Sequence, residues 1–298
     1  MIVHLVDGTY ELFRYHFGVP SHVTDDGREV AATRGVLGSM LSLLEDGATH
    51  VGIATDHIIE SFRNALLESY KTGEGVDPAL RSQFELVEDT LRAVGFCVWP
   101  MEDYEADDAL GSAAALAAAD RRVDRVIICT PDKDLGQCVT ADGRVVQFDR
   151  RKEMLTDFAG VVAKFGVEPT SIPDYLALVG DTSDGIPGVP GWGMKTAATV
   201  LARYRHLEDI PLQAGLWDIS VRGRANLLRT LADRFADALL YRRLATIDLD
   251  APTIASVDEL EWTGPQPGFE DALRAIDADG SVARIQRLAE RPAERPLR

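Results

Sequence analysis

The sequence predicts an α/β fold with a mainly parallel central sheet, followed by a helical second half. Three observations carry this reading. Through the first 150 residues, short apolar runs alternate with amphipathic helical patterns, the order in which parallel strands and their crossover helices are laid down. Several of those runs end at an Asp or are followed at once by acids. Beyond that point the strand-like runs fade and apolar residues recur at helical spacing.

The elements follow in order. IVHLV over 2–6 is a buried-strand run that stops at Asp7. Residues 34–45 place Val36, Leu37, Met40, Leu41 and Leu44 on one helical stripe. HVGIAT over 50–55 is a second strand, ending at Asp56, and 81–94 is a helix with Phe84, Val87, Leu91 and Val94 as its apolar positions. FCVW over 96–99 is a third strand. YEADDALGSAAALAAA over 104–119 is a tightly packed helix that opens in acids. VIIC over 126–129 is a fourth strand, followed directly by TPDKD, and VVQF over 145–148 is a fifth. FAGVVAKFG, IPDYLALVG, KTAATVLARY and RANLLRTLADRFADALLYRR read as helices joined by Gly/Pro turns. The expected division is an α/β core over 1–180, a helical region over 181–289 and a Pro- and Arg-rich, disordered tail over 290–298.

The 298 residues suit about two domains or one large one. The charge is less ordinary: 48 acids against 31 bases, a net of −17. That excludes a general nucleic-acid coat, which needs a basic surface. It admits a metal-dependent enzyme, because carboxylates are the ligands that hard cations take. Three scattered cysteines, Cys97, Cys129 and Cys138, exclude a disulfide framework and a cysteine-built zinc site. MIVHLVDGTYELFR has no basic leader pattern, and no apolar run approaches the ~18 residues of a membrane span. The expectation is a cytoplasmic protein with no membrane partner.

Asp7 and Asp56 end two strands, and Asp132 and Asp134 follow a third. Ligands of parallel α/β sheets bind beyond the carboxyl ends of strands, so four carboxylates share one edge. Glu105, Asp107 and Asp108 open a helix, with Glu105 and Asp108 on one face. Asp181 and Asp184, in GDTSDG, add a further pair three apart. Singly, each acid has an ordinary explanation as a helix cap, a dipole partner or a turn residue. Nine at one address would repel and raise their own pKa values unless cations balanced them. Two divalent ions ~3.5–4 Å apart do so and create a phosphoryl-transfer site. Oxygen ligands without a recurring histidine favour Mg²⁺ or Mn²⁺ over zinc.

VDGTYELFR, SFR…YK, YEADDALG, TPDKDL and GDTSDGIPGVPGWGMKTA occur in that order. In sequence and spacing the chain resembles the bacterial 5′-nuclease family of flap endonucleases and 5′→3′ exonucleases, from residue 2 to about 245. The resemblance implies that Asp7, Asp56, Glu105 and Asp107 hold one metal ion. Asp108, Asp132, Asp134, Asp181 and Asp184 would build the second site, and Asp107 and Glu105 would bridge. It implies a helical arch at about 57–85, with Arg63 and Lys71 contacting the scissile phosphate. GVPGWGMKTAATVL over 188–201 resembles the family's helix-turn-helix DNA clamp, which implies DNA contacts from Gly188, Val189, Gly191, Gly193, Lys195 and Thr196 and a K⁺ ion in the turn. Glycines that let backbone amides reach phosphate, ahead of a helix N-terminus, give that turn its own physical basis. Residues 191–243 carry nine bases and five acids, so the basic surface sits in the helical half. Two positions depart from the family pattern. Glu74 stands where a base follows the arch lysine, for which Arg81 is the substitute, and Gly185 stands where Asn follows SD.

The implied reaction is metal-dependent phosphodiester hydrolysis at a junction of duplex with a 5′ single strand, in replication and repair. It would be carried out by a monomer and yield a 5′-phosphate and a 3′-hydroxyl. Three alternatives are weaker. A haloacid-dehalogenase-type phosphatase shares VDGT and GDTSD, but its nucleophile would sit at position 5, which is Leu5. A PIN-type ribonuclease leaves the helical clamp unexplained. A catalytically weak junction-binding protein would be signalled by missing carboxylates, and none is missing.

Overall fold

The computed structural model describes residues 1–290, so the expected tail lies, after Glu290, outside the described residues. In chain order the elements are β1 (Ile2–Asp7), α1 (Gly8–Gly18), α2 (Ala31–Glu45), β2 (His50–Asp56), α3 (Phe62–Leu66), α4 (Pro78–Arg81), α5 (Phe84–Ala93), β3 (Cys97–Met101), α6 (Ala106–Ala119), β4 (Arg125–Cys129), β5 (Val145–Asp149), β6 (Met154–Thr156), α7 (Phe158–Phe165), α8 (Ile172–Val179), α9 (Met194–Tyr204), α10 (Arg224–Asp233), α11 (Phe235–Ala245), α12 (Phe269–Arg274) and α13 (Val282–Ala289). The chain forms two compact units. Unit 1 takes residues 1–59, 73–130 and 248 onward; unit 2 takes 60–72 and 131–247.

Unit 1 is built on four parallel strands in the order β3-β2-β1-β4. Val3, Leu5, Ile53, Val126 and Ile128 are buried. β2, buried along nearly its whole length, shows why parallel strands of a sheet's centre read as continuous apolar runs. Parallel pairing brings the strand ends to one edge, with Asp7 in register with Ala54 and Asp56 with Met101. The alanines of α6 account for its close approach to the sheet: Ala109, Ala113, Ala114 and Ala117 are all buried.

Two features of unit 1 differ from the sequence reading. Helix α1 begins directly after β1, capped by the Asp7 carboxylate, which accepts from Tyr10 N. Its mixture of polar and aromatic residues hides the helical period. Residues 248–290, expected among the helical region, pack here instead. Trp262 N donates to Thr49 O, Gln266 N to Ala93 O, and Trp262 Nε1 to Val94 O at 2.9 Å.

Unit 2 contains the antiparallel hairpin β5–β6 and helices α3 and α7–α11. Its core gathers Trp192, Leu201, Trp217 and Leu231 with residues of α8 and α11. RANLLRTLADRFADALLYRR, read as helical, is two helices, α10 and α11, broken at Arg234. The segment at 57–85 holds two short helices, α3 of five residues and α4 of four. Among the described residues no helix is long and apolar enough to cross a membrane.

Candidate metal centre and nucleic-acid contacts

In unit 1 the chain stitches the acid-bearing ends together. Asp7 is 6% exposed. Its Oδ1 accepts from Tyr10 N at 2.8 Å and its Oδ2 from Thr130 Oγ1 at 2.9 Å. Asp56 N donates to Thr9 Oγ1 at 2.8 Å, and Asp56 Oδ1 accepts from Ala106 N, in the first turn of α6, at 2.8 Å. Glu105 caps α6 and is buried, while Asp107 is half-buried in its first turn. These bonds bring β1, β2 and α6 together and hold three carboxylate-bearing backbones in place before any ligand arrives.

Asp108, expected in the second metal set, is placed in unit 1 at the start of α6. It is fully buried, and its two oxygens accept from Glu105 N at 3.0 Å and Asp248 N at 2.8 Å. Its carboxylate closes the helix start, since buried acceptors are held to their donors by the cost of leaving those donors unpaired.

Unit 2 contains the second set. Carboxylate oxygens of Asp134, Asp181 and Asp184 lie within 4.8 Å of one another. Asp132 Oδ1 accepts from Asp134 N at 2.9 Å, and its carbonyl accepts from Gln147 Nε2. Asp181 Oδ1 accepts from Ser183 N at 3.0 Å and Ser183 Oγ at 2.5 Å. The Lys133 ammonium pairs with Asp181 and lies 3.7 Å from Asp134 Oδ1, a buried oxygen that receives no hydrogen bond. Lys133 has no role in the sequence reading; a lone cation inside the acidic TPDKD is the signal that finds it.

The electrostatics follow. Burial pushes the Asp134 carboxyl well above its ordinary range, and the charges of Asp132 and Asp184 add to that. Burial also pushes Asp181 up, but hydrogen bonds from Lys133 and Ser183 outweigh it and leave Asp181 below the usual value. Burial pulls the Lys133 ammonium down, but Asp134, Asp181 and Asp132 outweigh it and hold it above the usual range. A buried carboxylate oxygen without a donor, among acids that already draw in one lysine, suits an oxygen-ligated hard cation.

Lys71 also belongs to unit 2. Its Nζ lies 3.8 Å from Asp184 Oδ1, and its backbone N donates to Asp184 O at 3.2 Å. Arg63 does not meet its expectation of a phosphate contact. It is 2% exposed, with Nε donating to Leu244 O at 2.8 Å and Nη2 to Thr246 O at 3.0 Å. Carbonyls at the end of α11 need donors, and the guanidinium supplies them. Arg81, exposed at the end of α4, belongs to unit 1.

The turn at 188–195 is also in unit 2. Gly188 has φ +74°, and a Cβ there would lie 2.5 Å from Gly180 N, so only glycine fits without movement of backbone. Val189 is buried, its N donating to Leu178 O, while Trp192 Nε1 donates to Leu227 O at 3.2 Å. These contacts fix the turn from beneath. Gly191, Gly193 and Lys195 are exposed, Thr196 is half-buried, and Gly193 caps α9. The arrangement presents an exposed helix N-terminus with a lysine beside it, suited to an anion.

Comparison with known proteins follows from this geometry. A family model described as 5′-3′ exonuclease, N-terminal resolvase-like domain, matches residues 2–166; another, described as 5′-3′ exonuclease, C-terminal SAM fold, matches 167–268. The DNA polymerase I of Pseudomonas aeruginosa is 36% identical over 283 residues, covering 91% of this chain and 30% of the polymerase. The chain thus spans about a third of the length of the curated relatives it matches. A solved bacteriophage T5 5′-exonuclease with bound divalent zinc ions aligns at a TM-score of 0.65 and 19% identity, covering 97% of this chain and 100% of that one. A T5 flap endonuclease in a complex with DNA and metal ions aligns at 0.62 and 17%, covering 98% and 100%. At these identities the solved structures show a shared fold.

Proposed function

Because this chain belongs to the 5′-3′ exonuclease family, a family of phosphodiester hydrolases, we propose that it cuts DNA where duplex meets a 5′ single strand. It would do so with divalent ions, as a monomer, in replication and repair. The observation that carries this reading is the acid cluster of unit 2, where Asp134 Oδ1 is buried without a donor beside Asp181 and Asp184.

Asp7, Asp56, Glu105 and Asp107 would hold an ion in unit 1, and Asp132, Asp134, Asp181 and Asp184 an ion in unit 2. Oxygen donors throughout favour Mg²⁺ or Mn²⁺. When bound, such ions supply the charge that lowers the pKa of an attacking water and steadies a leaving oxygen. The chain's own residues do the rest. Thr9, Thr130 and the Ala106 amide hold the Asp7 and Asp56 backbones and carboxylates in fixed orientation. Lys71 neutralises the phosphate under attack, a donor role of the oxyanion-hole kind. Gly188, Val189, Gly191, Gly193, Lys195 and Thr196 grip duplex phosphates at the N-terminus of α9, with K⁺ in the turn, and Arg81 adds a phosphate contact. Arg63 anchors the end of α11 and stays out of the chemistry.

The test is a labelled 5′-flap duplex with Mg²⁺ or with EDTA. The wild-type chain should release short 5′ products only with metal, and Asp132→Ala should lower that rate by about 100-fold or more. Undiminished cleavage by Asp132→Ala overturns the metal assignment. Binding without cleavage by the wild type would favour a scaffold, and release of inorganic phosphate alone would favour a phosphatase.

A further inference from the structure

The lysine proposed to meet the phosphate sits on residues 67–77, which form no regular element. A catalytic cation on irregular backbone needs something to fix it, and unit 2 supplies two devices. On one side, Asn64 Nδ2 donates to Lys71 O at 3.0 Å, while Asn64 Oδ1 accepts from Ser61 N at 2.8 Å in the capping box of α3. Asn64 thus ties Lys71 to a helix start. On the other side, Lys71 N donates to Asp184 O, and Ser69 Oγ donates to Gly185 O at 3.4 Å.

The second contact depends on the absence of a side chain. Gly185 has φ +73°, and a Cβ placed there would lie 2.0 Å from Ser69 O and 3.1 Å from Ser69 C. Both are backbone atoms, so any side chain drives the 69–71 segment away from Asp184. Tyr70 between them is 3% exposed, which leaves the segment no slack on its inner side. The residue after SD, the point at which this chain departs from the family pattern, is therefore the surface on which the lysine segment rests.

We propose that Asn64 and Gly185 are positioning residues for Lys71, clamping its backbone against Asp184 so that its ammonium stands at the metal-binding acids. The inference rests on the reading of Lys71 as the phosphate-neutralising group. Displacement of a catalytic group by 1 Å lowers rates by up to ~100-fold, and these contacts set displacements of that size.

The experiment measures single-turnover cleavage of the 5′-flap duplex in Mg²⁺ for Gly185→Ala, Asn64→Ala, Lys71→Ala and the two double variants with Lys71→Ala. Mn²⁺ binding by calorimetry and melting temperature are measured on each. Each positioning variant should lose about tenfold in rate, keep Mn²⁺ binding, and show no further loss in the Lys71→Ala background. Should Gly185→Ala fail to fold, Asn64→Ala carries the test alone. Wild-type rates in the positioning variants overturn the inference, as does the same loss with and without Lys71. Wild-type cleavage by Lys71→Ala would overturn the underlying reading of that lysine, a result distinguishable from failure of the clamp.

Discussion

In unit 1 the carboxylates of Asp7, Asp56 and Asp108 accept from backbone amides and a threonine hydroxyl, at 2.8–3.0 Å. In unit 2 Asp134 and Asp181 share Lys133, and Asp134 keeps a buried oxygen with no donor. The difference separates two ways of assembling acids. Amide and hydroxyl donors fix the orientation of a carboxylate. A shared cation cancels charge and leaves a gap in the hydrogen bonding. The hydrogen bonds to Asp7, Asp56 and Asp108 hold their orientation, while Asp134 and Asp181 gather around one lysine and leave a buried Asp134 oxygen without a donor.

Asp134→Asn breaks the comparison most directly. It should lower flap cleavage by about 100-fold or more, yet raise the melting temperature in EDTA by about 2–5 °C, because it removes a buried charge. Asp134 titrates above its ordinary value of 3.8 in the folded chain. The folded state therefore holds its proton more tightly, and stability falls as pH rises through the folded value. The gain from Asp134→Asn should accordingly grow with pH, as differential scanning fluorimetry at stepped pH will show. A fall in melting temperature would mean that the unit 2 acids are as well satisfied as those of unit 1.

Asp108→Ala is the opposite case. It unpairs the Glu105 and Asp248 amides, and should lower the melting temperature by about 5–10 °C with or without metal. Metal-dependent rescue of this variant would return Asp108 to the metal set.

The smallest effect sharpens the account of unit 1. Burial pulls the His50 imidazole below its ordinary 6.5, against the pull of Glu261. The unfolded chain takes up a proton as pH falls below about 6.5 while the folded chain does not, so stability present above that pH is lost on acidification. His50→Asn should flatten the melting-temperature profile between pH 7 and 5 by about 1–3 °C. An unchanged profile would assign the sensitivity elsewhere.

Much of this was legible in the sequence. Strands β1–β4 announce themselves as apolar runs, and parallel pairing then requires that Asp7 and Asp56 share an edge. The acid pairs three apart and the glycine turn at 188–195 follow from local chemistry. What was hidden depends on partners distant along the chain. Arg63 reads as surface until the carbonyls of Leu244 and Thr246, some 180 residues on, are placed against it. Asp108 reads as one more ligand until Asp248 supplies its second donor. β6 is three residues long and partly exposed, too short for alternation to show, and the break at Arg234 carries neither Gly nor Pro.

The return of residues 248–290 to unit 1 bears on the order in which the protein is made. A chain emerging from the ribosome has β1–β4 and α6 in hand long before Asp248, Trp262 and Gln266 appear, and residues 131–247 of unit 2 are synthesised in between. Until then the carbonyls of Thr49, Ala93 and Val94 lack these donors and Asp108 has only one of its two clamps. The helix that bears Glu105 and Asp107 therefore gains its second clamp only after residues 131–247 of unit 2 have been made.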